Sequence, residues 1–321
     1  MKKLLKTTLL LTALSASALT ASTIKIGTGS QTGNYYSMAN DITSENYCKE
    51  ISPDASFEVL TSEGSGANLD GLLNKKYSIG IIQSDVLMSN AKKSPRKVNM
   101  NRMKILAGLH IETAHLLIPN GYQPKQTKKS GNIFSSFMDK FSTSDNKPVK
   151  ISLQSLKNQQ IASWGGSVTS ARALSYFFDL NWEIKEVPKD NRENINKMPI
   201  LLVGGQPYAP VEKYLATGNY KLVGLDYKEI SNKAPFYMSS EATYNINGKS
   251  YSVPSIGIQA LMIGKSFRKA SRNENMQKLA QCINESLPDL ADDPDTNPNW
   301  NSVYELNEKG EQLNWSYFPI K

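Results

Sequence analysis

Beyond its first twenty-odd residues, this 321-residue chain repeats one order of positions: a short apolar run, a Gly/Ser-rich turn, then a helical pattern. Thr23-Ile24-Lys25-Ile26-Gly27 alternates with the two-residue period of a strand. It runs into Gly29-Ser30-Gln31-Thr32-Gly33 and a helical stretch from Tyr35 to Lys49. Phe57-Glu58-Val59-Leu60 reads as a second strand, followed by Ser62-Glu63-Gly64-Ser65-Gly66 and a helix from about Ala67 to Asn74. Ile79-Gly80-Ile81-Ile82 reads as a buried strand ending at Gln83-Ser84-Asp85. Strands alternating with helices imply a parallel sheet with right-handed crossovers. Ligands of such sheets gather at the carboxyl ends of the strands, where all three polar turns fall.

Ile105 to Ile118 is the next apolar stretch. The polar segment after it, about 122–149, reads as an inserted surface loop. Within it Ile133, Phe134, Phe137, Met138 and Phe141 share one helical face, suited to lying on its own lobe or to docking a partner or membrane. The alternation then restarts. Gln160-Ile161-Ala162 is strand-like, Trp164 to Thr169 is a polar turn, and Ser170 to Leu180 reads as a helix. Ile200 to Val203 precedes Gly204-Gly205-Gln206-Pro207 and a helix from about Ala209 to Ala216. Ser255 to Ile263 is a long apolar strand, and Asn273 to Leu287 is an amphipathic helix. The last thirty residues are polar, with Trp300 and Trp315 as isolated anchors.

The first residues follow another rule. Lys2, Lys3 and Lys6, the short apolar run Leu9 to Leu14 and the small residues Ala16-Ser17-Ala18 have the order of a secretory signal peptide. Cleavage is expected between about Ala18 and Ser22, which places the mature protein in the periplasm. A membrane anchor is the alternative, but the apolar run is well short of the ~20 residues a span needs. Removal of the leader lowers the net charge from +8 to +5. That value, without aromatic–basic alternation, does not suggest nucleic acid. The only cysteines are Cys48 and Cys282. In an oxidising compartment they are expected to form one disulfide, the alternative being two free buried thiols.

The turns carry the chemistry. A strand that ends in Gly and Ser before a helix presents unpaired backbone N–H groups and the positive end of the helix dipole. Four such turns occur, at 29–33, 62–66, 164–169 and 204–207, and each alone is also an ordinary helix cap. Enzyme readings find less support. The glycines at 27, 29 and 33 lack dinucleotide-binding spacing, no Gly-Lys-Ser/Thr follows, and no Gly-x-Ser-x-Gly elbow occurs. His110 and His115, five apart on an expected strand, face opposite sides and do not suggest a shared metal. Asp85 has no evident catalytic partner. The expectation is a non-enzyme that needs no cofactor and acts as a monomer.

Taken in order, Gly29-Ser30-x-x-Gly33-x-Tyr35-Tyr36, Gly64-Ser65-x-x-Asn68-Leu69 and Gln83-Ser84-Asp85 resemble motifs of the TAXI solute receptors, the extracytoplasmic components of TRAP transporters. Gly166-Ser167-x-Thr169, Gly205-x-Pro207, Pro235-Phe236-Tyr237 and Val253-Pro254-Ser255 continue the likeness, which spans about residues 23–287. The resemblance implies an α/β, two-lobed, periplasmic-binding-protein-like fold of type II topology, with two mostly parallel sheets flanked by helices and joined by a hinge. Its expected parts are a first lobe over 22–112, a second over 113–264, and a return to the first with a tail over 265–321. It implies a small carboxylate or amino acid, such as glutamate, glutamine or 2-oxoglutarate, as ligand, and a TRAP-type permease as partner. A periplasmic sensor that docks to a signalling protein is the alternative. Ser30, Gly33, Tyr35, Ser65, Asn68, Gln83 and Asp85 would line the first lobe, and Gly166, Ser167 and Thr169 the second. Arg172 and Arg192 are candidate partners for a carboxylate. This chain departs from the family pattern at Val168, where a glycine is usual, in its long 122–149 stretch, and in the absence of a His-Pro pattern in its tail.

Overall fold

The computed structural model describes residues 22–53, 55–123, 150–195 and 197–320. The expected leader and the face built from Ile133 to Phe141 lie outside the described residues. The elements in chain order are β1 (Ser22–Gly27), α1 (Asn34–Ile42), β2 (Ala55–Leu60), α2 (Ser65–Leu73), β3 (Ile79–Gln83), α3 (Ser84–Lys93) and β4 (Met103–Pro119). They continue with β5 (Lys150–Ile151), β6 (Gln160–Ser163), α4 (Ser167–Phe177), β7 (Glu183–Glu186), β8 (Ile200–Gly204), α5 (Ala209–Ala216), β9 (Tyr220–Leu225), α6 (Tyr227–Lys233), β10 (Met238–Ile246), β11 (Lys249–Lys265), α7 (Ala270–Asp292) and α8 (Trp300–Glu308).

Strands run in the order β2-β1-β3-β11-β4-β8-β6-β7, with β10 beside β11 and β9 beside β4. β1 pairs parallel with β2 and β3, and β6 pairs parallel with β7 and β8. The two 17-residue strands β4 and β11 run antiparallel to each other and change partners along their length. Residues 260–264 of β11 pair with β3, whereas 249–257 pair with β10. Residues 113–117 of β4 pair with β8, and of these Thr113 also pairs with β11, on its other side.

The hydrophobic core divides where those partners change. Leu106 and Leu109 pack with Ile24, Ile26, Met38, Ile81 and Ala260, and Met103 and Ile105 pack with Leu72, Ile82 and Leu261. Ala114 and Leu116 pack instead with Leu174, Leu201, Ile256 and Ile258, and Leu117 packs with Trp164, Leu202 and Val211. Each half thus has apolar cores on both faces of its own strands, and the fold is two-lobed. The first break lies between Leu109 and Ala114, and the second between Ile258 and Ala260. The second falls at Gln259, the buried polar residue inside the apolar run 255–263.

Three elements differ from the sequence reading for clear reasons. The helix expected to reach Lys49 ends at Ile42, where the Thr43 hydroxyl donates back to the Ala39 carbonyl. The chain then folds over, with Cys48 N–H donating to Ile42 O, so that Cys48 meets Cys282 of α7 in a disulfide. α7 continues past Pro288 to Asp292 because Leu287 and Leu290 are both buried on the first lobe. The polar tail contains α8, which starts at the fully buried Trp300, whose indole N–H donates to Asp41.

The lobes also touch outside the sheet. α3 belongs to the first lobe through Val86 and Leu87, yet its Met88 packs on the second-lobe core. At the C-terminal end of α3, Lys92 lies over the Tyr176 and Phe177 rings of α4, and Lys93 over Tyr176 at 4.4 Å.

The Cys48–Cys282 bridge closes a loop of 234 residues. Chain entropy assigns such a closure on the order of 5 kcal/mol, an upper figure once strain and residual structure are allowed for. Cys48→Ser/Cys282→Ser is expected to lower unfolding stability in urea by about 2–5 kcal/mol, and added reductant is expected to reproduce the loss in the native protein. An unchanged midpoint under reductant would show that the bridge does not constrain the unfolded chain.

Candidate functional site

The turns at the strand ends face one another across the line where the lobes meet. On the first lobe, Gly64 adopts φ +95°, and on the second, Gly165 adopts φ +56°. Both values favour glycine, and each lets the chain reverse within one residue. The helices therefore begin sooner than the sequence suggested, at Ser65 and Ser167 rather than near Ala67 and Ser170. Val168 lies in the first turn of α4, in helical backbone that any residue adopts. The glycine the family pattern places there is not needed for the turn, because Gly165 supplies the freedom.

Each helix opens on a serine with the same task. Ser65 Oγ accepts from the backbone N–H of Gln83 at the end of β3. Ser167 Oγ accepts from the backbone N–H of Val203 in β8 and donates back to its carbonyl. Asn68 goes further. Its Nδ2 donates to Thr28 O and Ile81 O, and its Oδ1 accepts from Ser62. Asn68, Ser65 and Ser167 are buried, and they hold the strand ends in register with the turns. Ser30 is exposed on the rim, and its hydroxyl lies over Gly33. Thr169 donates to Gly166 O, which fixes its side-chain rotamer.

The two sets of turns are in contact. A Cβ on Gly64 would lie 3.4 Å from Gly166 Cα, and one on Gly66 would lie 2.8 Å from Thr169 Cγ2. The 204–207 turn meets the start of α1, since a Cβ on Gly205 would lie 3.3 Å from Asn34 Nδ2. Gln206 holds that turn in place, donating to Thr113 Oγ1 and Glu241 O and accepting from Thr243 N. Pro207 follows a cis peptide bond.

Beneath the turns lies a residue the sequence reading passed over. Glu112 stands on β4 between Leu109 and Ala114, at the first crossing between lobes. Its Oε2 accepts from Gln83 Nε2 at 2.7 Å and from the Tyr35 hydroxyl at 3.0 Å. Burial pushes its carboxyl up to about 7, against the pull of the Gln83 and Tyr35 hydrogen bonds. Asp85, fully buried at the start of α3, is pushed up to about 6 by burial and restrained by the Ser170 hydroxyl, the Val86 N–H and Tyr237. The Tyr237 hydroxyl of the second lobe lies 3.4 Å from Asp85 Oδ2. Glu112 left a signal: it is the single acid in the 17 residues of β4.

The histidines divide between the lobes. His110 sets its ring edge-on to Tyr35, 5.9 Å between centroids, while His115 bonds to the Tyr244 hydroxyl at 2.7 Å. Burial lowers both to about 4, so both are neutral at pH 7. Among the described residues no three His, Cys, Asp or Glu side chains could hold a metal ion. Of the two candidate arginines, Arg172 is exposed and pairs with Glu186. Arg192 lies over the Trp164 indole, 5.2 Å from its centroid, next to the Gly165-Gly166 turn. The Arg192 Nε is buried and without a hydrogen-bond partner among the described residues.

Residues 26–152 match the NMT1-like family. No curated protein sequence matches this chain. Among solved structures, it is similar to the GluR0 ligand-binding core in complex with L-glutamate, at 10% identity and TM-score 0.43 over 89% of this chain and 97% of that one. It is similar to an ancestral arginine-binding protein bound to arginine, at 11% identity and TM-score 0.40 over 88% and 96% of the two chains. It is also similar to the alkanesulfonate-binding protein SsuA from Xanthomonas axonopodis pv. citri bound to MOPS, at 11% identity and TM-score 0.41 over 91% and 85%.

Gly66→Val is expected to wedge the 64–66 turn away from Thr169 and raise the radius of gyration in small-angle scattering, with the circular dichroism unchanged. Gly66→Ala combined with Thr169→Ser, which removes the opposing methyl, is expected to keep the wild-type value. An unaltered radius in Gly66→Val would mean that this contact does not set the distance between lobes.

A carboxyl whose folded pKa lies above its unfolded value stabilises the fold below the unfolded pKa and loses that contribution as pH rises through the folded one. Glu112 rises from 4.5 to about 7, and Asp85 from 3.8 to about 6, so stability is expected to fall between about pH 4 and pH 7. Glu112→Gln keeps an acceptor for Tyr35 and Gln83 without the buried charge. It is expected to be more stable than wild type at pH 8 by roughly 1–3 kcal/mol, with no advantage at pH 4. Parallel urea titrations at the two pH values check this, and an equal advantage at both would assign the effect to packing.

Proposed function

We propose that the protein is an exported solute-binding protein that closes two lobes over a small organic anion or amino acid and delivers it to a TRAP-type permease. The observation that carries this reading is the meeting of Gly/Ser turns from both lobes above the two crossing strands. Each turn opens a helix whose first N–H groups have no partner within the helix, and such groups bind carboxylates without a fixed cation. Among the described residues β4 and β11 join the lobes, and two strands that change partners between separate cores form a hinge.

The leader-like residues 1–21 support export, and no helix among the described residues is long and apolar enough to cross a membrane. The expected Gly/Ser line of contact, with Gly33, Ser30, Gly166 and Thr169 at its rim, gives such a solute its donors. Ser65, Asn68 and Ser167 shape the line of contact from beneath it. Tyr35, Gln83 and Asp85 stand deeper, around Glu112.

A solute that binds only the native protein raises its stability by mass action, by about 2.7 kcal/mol at one hundred times its Kd. Thermal unfolding of the leaderless protein with a panel of amino acids and small organic acids at millimolar concentration is expected to yield an upward Tm shift for at least one class. A panel without any shift would overturn the reading.

A further inference from the structure

The chemistry beneath the turns is richer in acceptors than a site for a simple anion requires. Glu112 keeps 12% of its side chain exposed and has one oxygen, Oε1, not committed to Gln83 or Tyr35; His110 Nε2 lies 3.8 Å from it, and that ring is neutral at pH 7. Gln83 Oε1 is buried and has no hydrogen-bond partner among the described residues, and it lies 3.9 Å from where a Cβ on Gly166 would be. That acceptor therefore points across to the second lobe. Asp85 adds another buried carboxyl on the same wall. Among the described residues no lysine or arginine pairs with Glu112 or Asp85.

A buried carboxylate without a counter-ion is unfavourable, and the protein supplies none here. A bound cationic group would balance the charge and satisfy the open acceptors on Glu112 and Gln83. The opposite polarity stands on the second lobe, where Arg192 has a buried, unpartnered Nε above Trp164, and α4 starts at Ser167. Gln83 Oε1 faces Gly166 from the first lobe, and Arg192 lies over Trp164 two residues before it, so acceptor and cation stand at the same 164–166 turn.

We propose that the site selects a zwitterionic amino acid over a plain organic acid, with Glu112 and Gln83 Oε1 receiving the ammonium and Arg192 with the start of α4 receiving the carboxylate. The proposal rests on the solute-binding reading above. Glu112 is then a specificity-determining residue rather than a structural one.

The test compares amino acids with their deaminated twins on the leaderless protein at pH 8: alanine with pyruvate, glutamate with 2-oxoglutarate, leucine with 4-methyl-2-oxopentanoate. Calorimetry is expected to show the amino acid of at least one pair binding about tenfold or more tightly than its oxo acid. Glu112→Gln is expected to bring that ratio to within about threefold, whereas Glu112→Asp, which keeps the charge, retains the preference with weaker binding. Circular dichroism melts of both variants establish that they are folded. Oxo acids that bind as tightly as their amines, or a preference untouched in Glu112→Gln, would overturn this proposal and leave the solute-binding reading standing. Failure of every amino acid and every organic acid to bind would overturn both.

Discussion

Everything in this molecule depends on two strands doing two jobs. β4 and β11 each run 17 residues, and each gives one end to the core of one lobe and the other end to the core of the other. Where the cores stop, the apolar run of β4 is interrupted by His110, Glu112 and Thr113. Polar side chains at that place cost little packing, since no lobe claims them. They find partners at the line of contact instead: His110 against Tyr35, Glu112 under Gln83 and Tyr35, Thr113 with Ser240 and Gln206. The break in the core, the crossing of the chain and the candidate chemistry therefore coincide.

Around that axis the two lobes use one local device. A glycine with positive φ, Gly64 or Gly165, turns the chain into a helix, and a serine at or near its first position pins the neighbouring strand by accepting a backbone N–H. The device is rigid because its donors and acceptors are buried and matched. Asn68 strengthens it on the first lobe alone. The second lobe relies on the Ser167–Val203 exchange and on the Gln206 clamp. Rigid turns on a two-strand joint keep the surfaces that meet in one shape.

Much of this was legible in the sequence, and what was missed has physical causes. The alternation of strand, Gly/Ser turn and helix fixed the order of elements and the edge at which the turns gather. The starts of α2 and α4 were read late because the conformational work falls on one glycine rather than on a whole polar stretch. The β10–β11 hairpin carried a strong local signal in Asn247-Gly248, with φ of +54° and +76°, between alternating residues. Glu112 was hidden by its company. Hydrophobic periodicity reads a strand by its majority, and a single acid inside it acquires meaning only once the two cores are seen to end on either side. Gln259 stands in the same way inside the 255–263 run, where β11 passes from one core to the other.

The placement of α3 reaches further than its size suggests. Met88 lies on the second-lobe core, and Lys92 and Lys93 cap the rings of Tyr176 and Phe177, well away from Glu112 in the chain. Drawing the lobes apart would wet that apolar contact at roughly 25 cal/mol for each Å2 uncovered and would give up the cation–ring attraction. On the solute-binding reading proposed above, the rim biases the open–closed equilibrium. Apparent affinity scales with the fraction of molecules already in the binding-competent shape. On that reading, substitutions on the outer surface of α3 or α4 retune how tightly the solute is held without touching any group that recognises it.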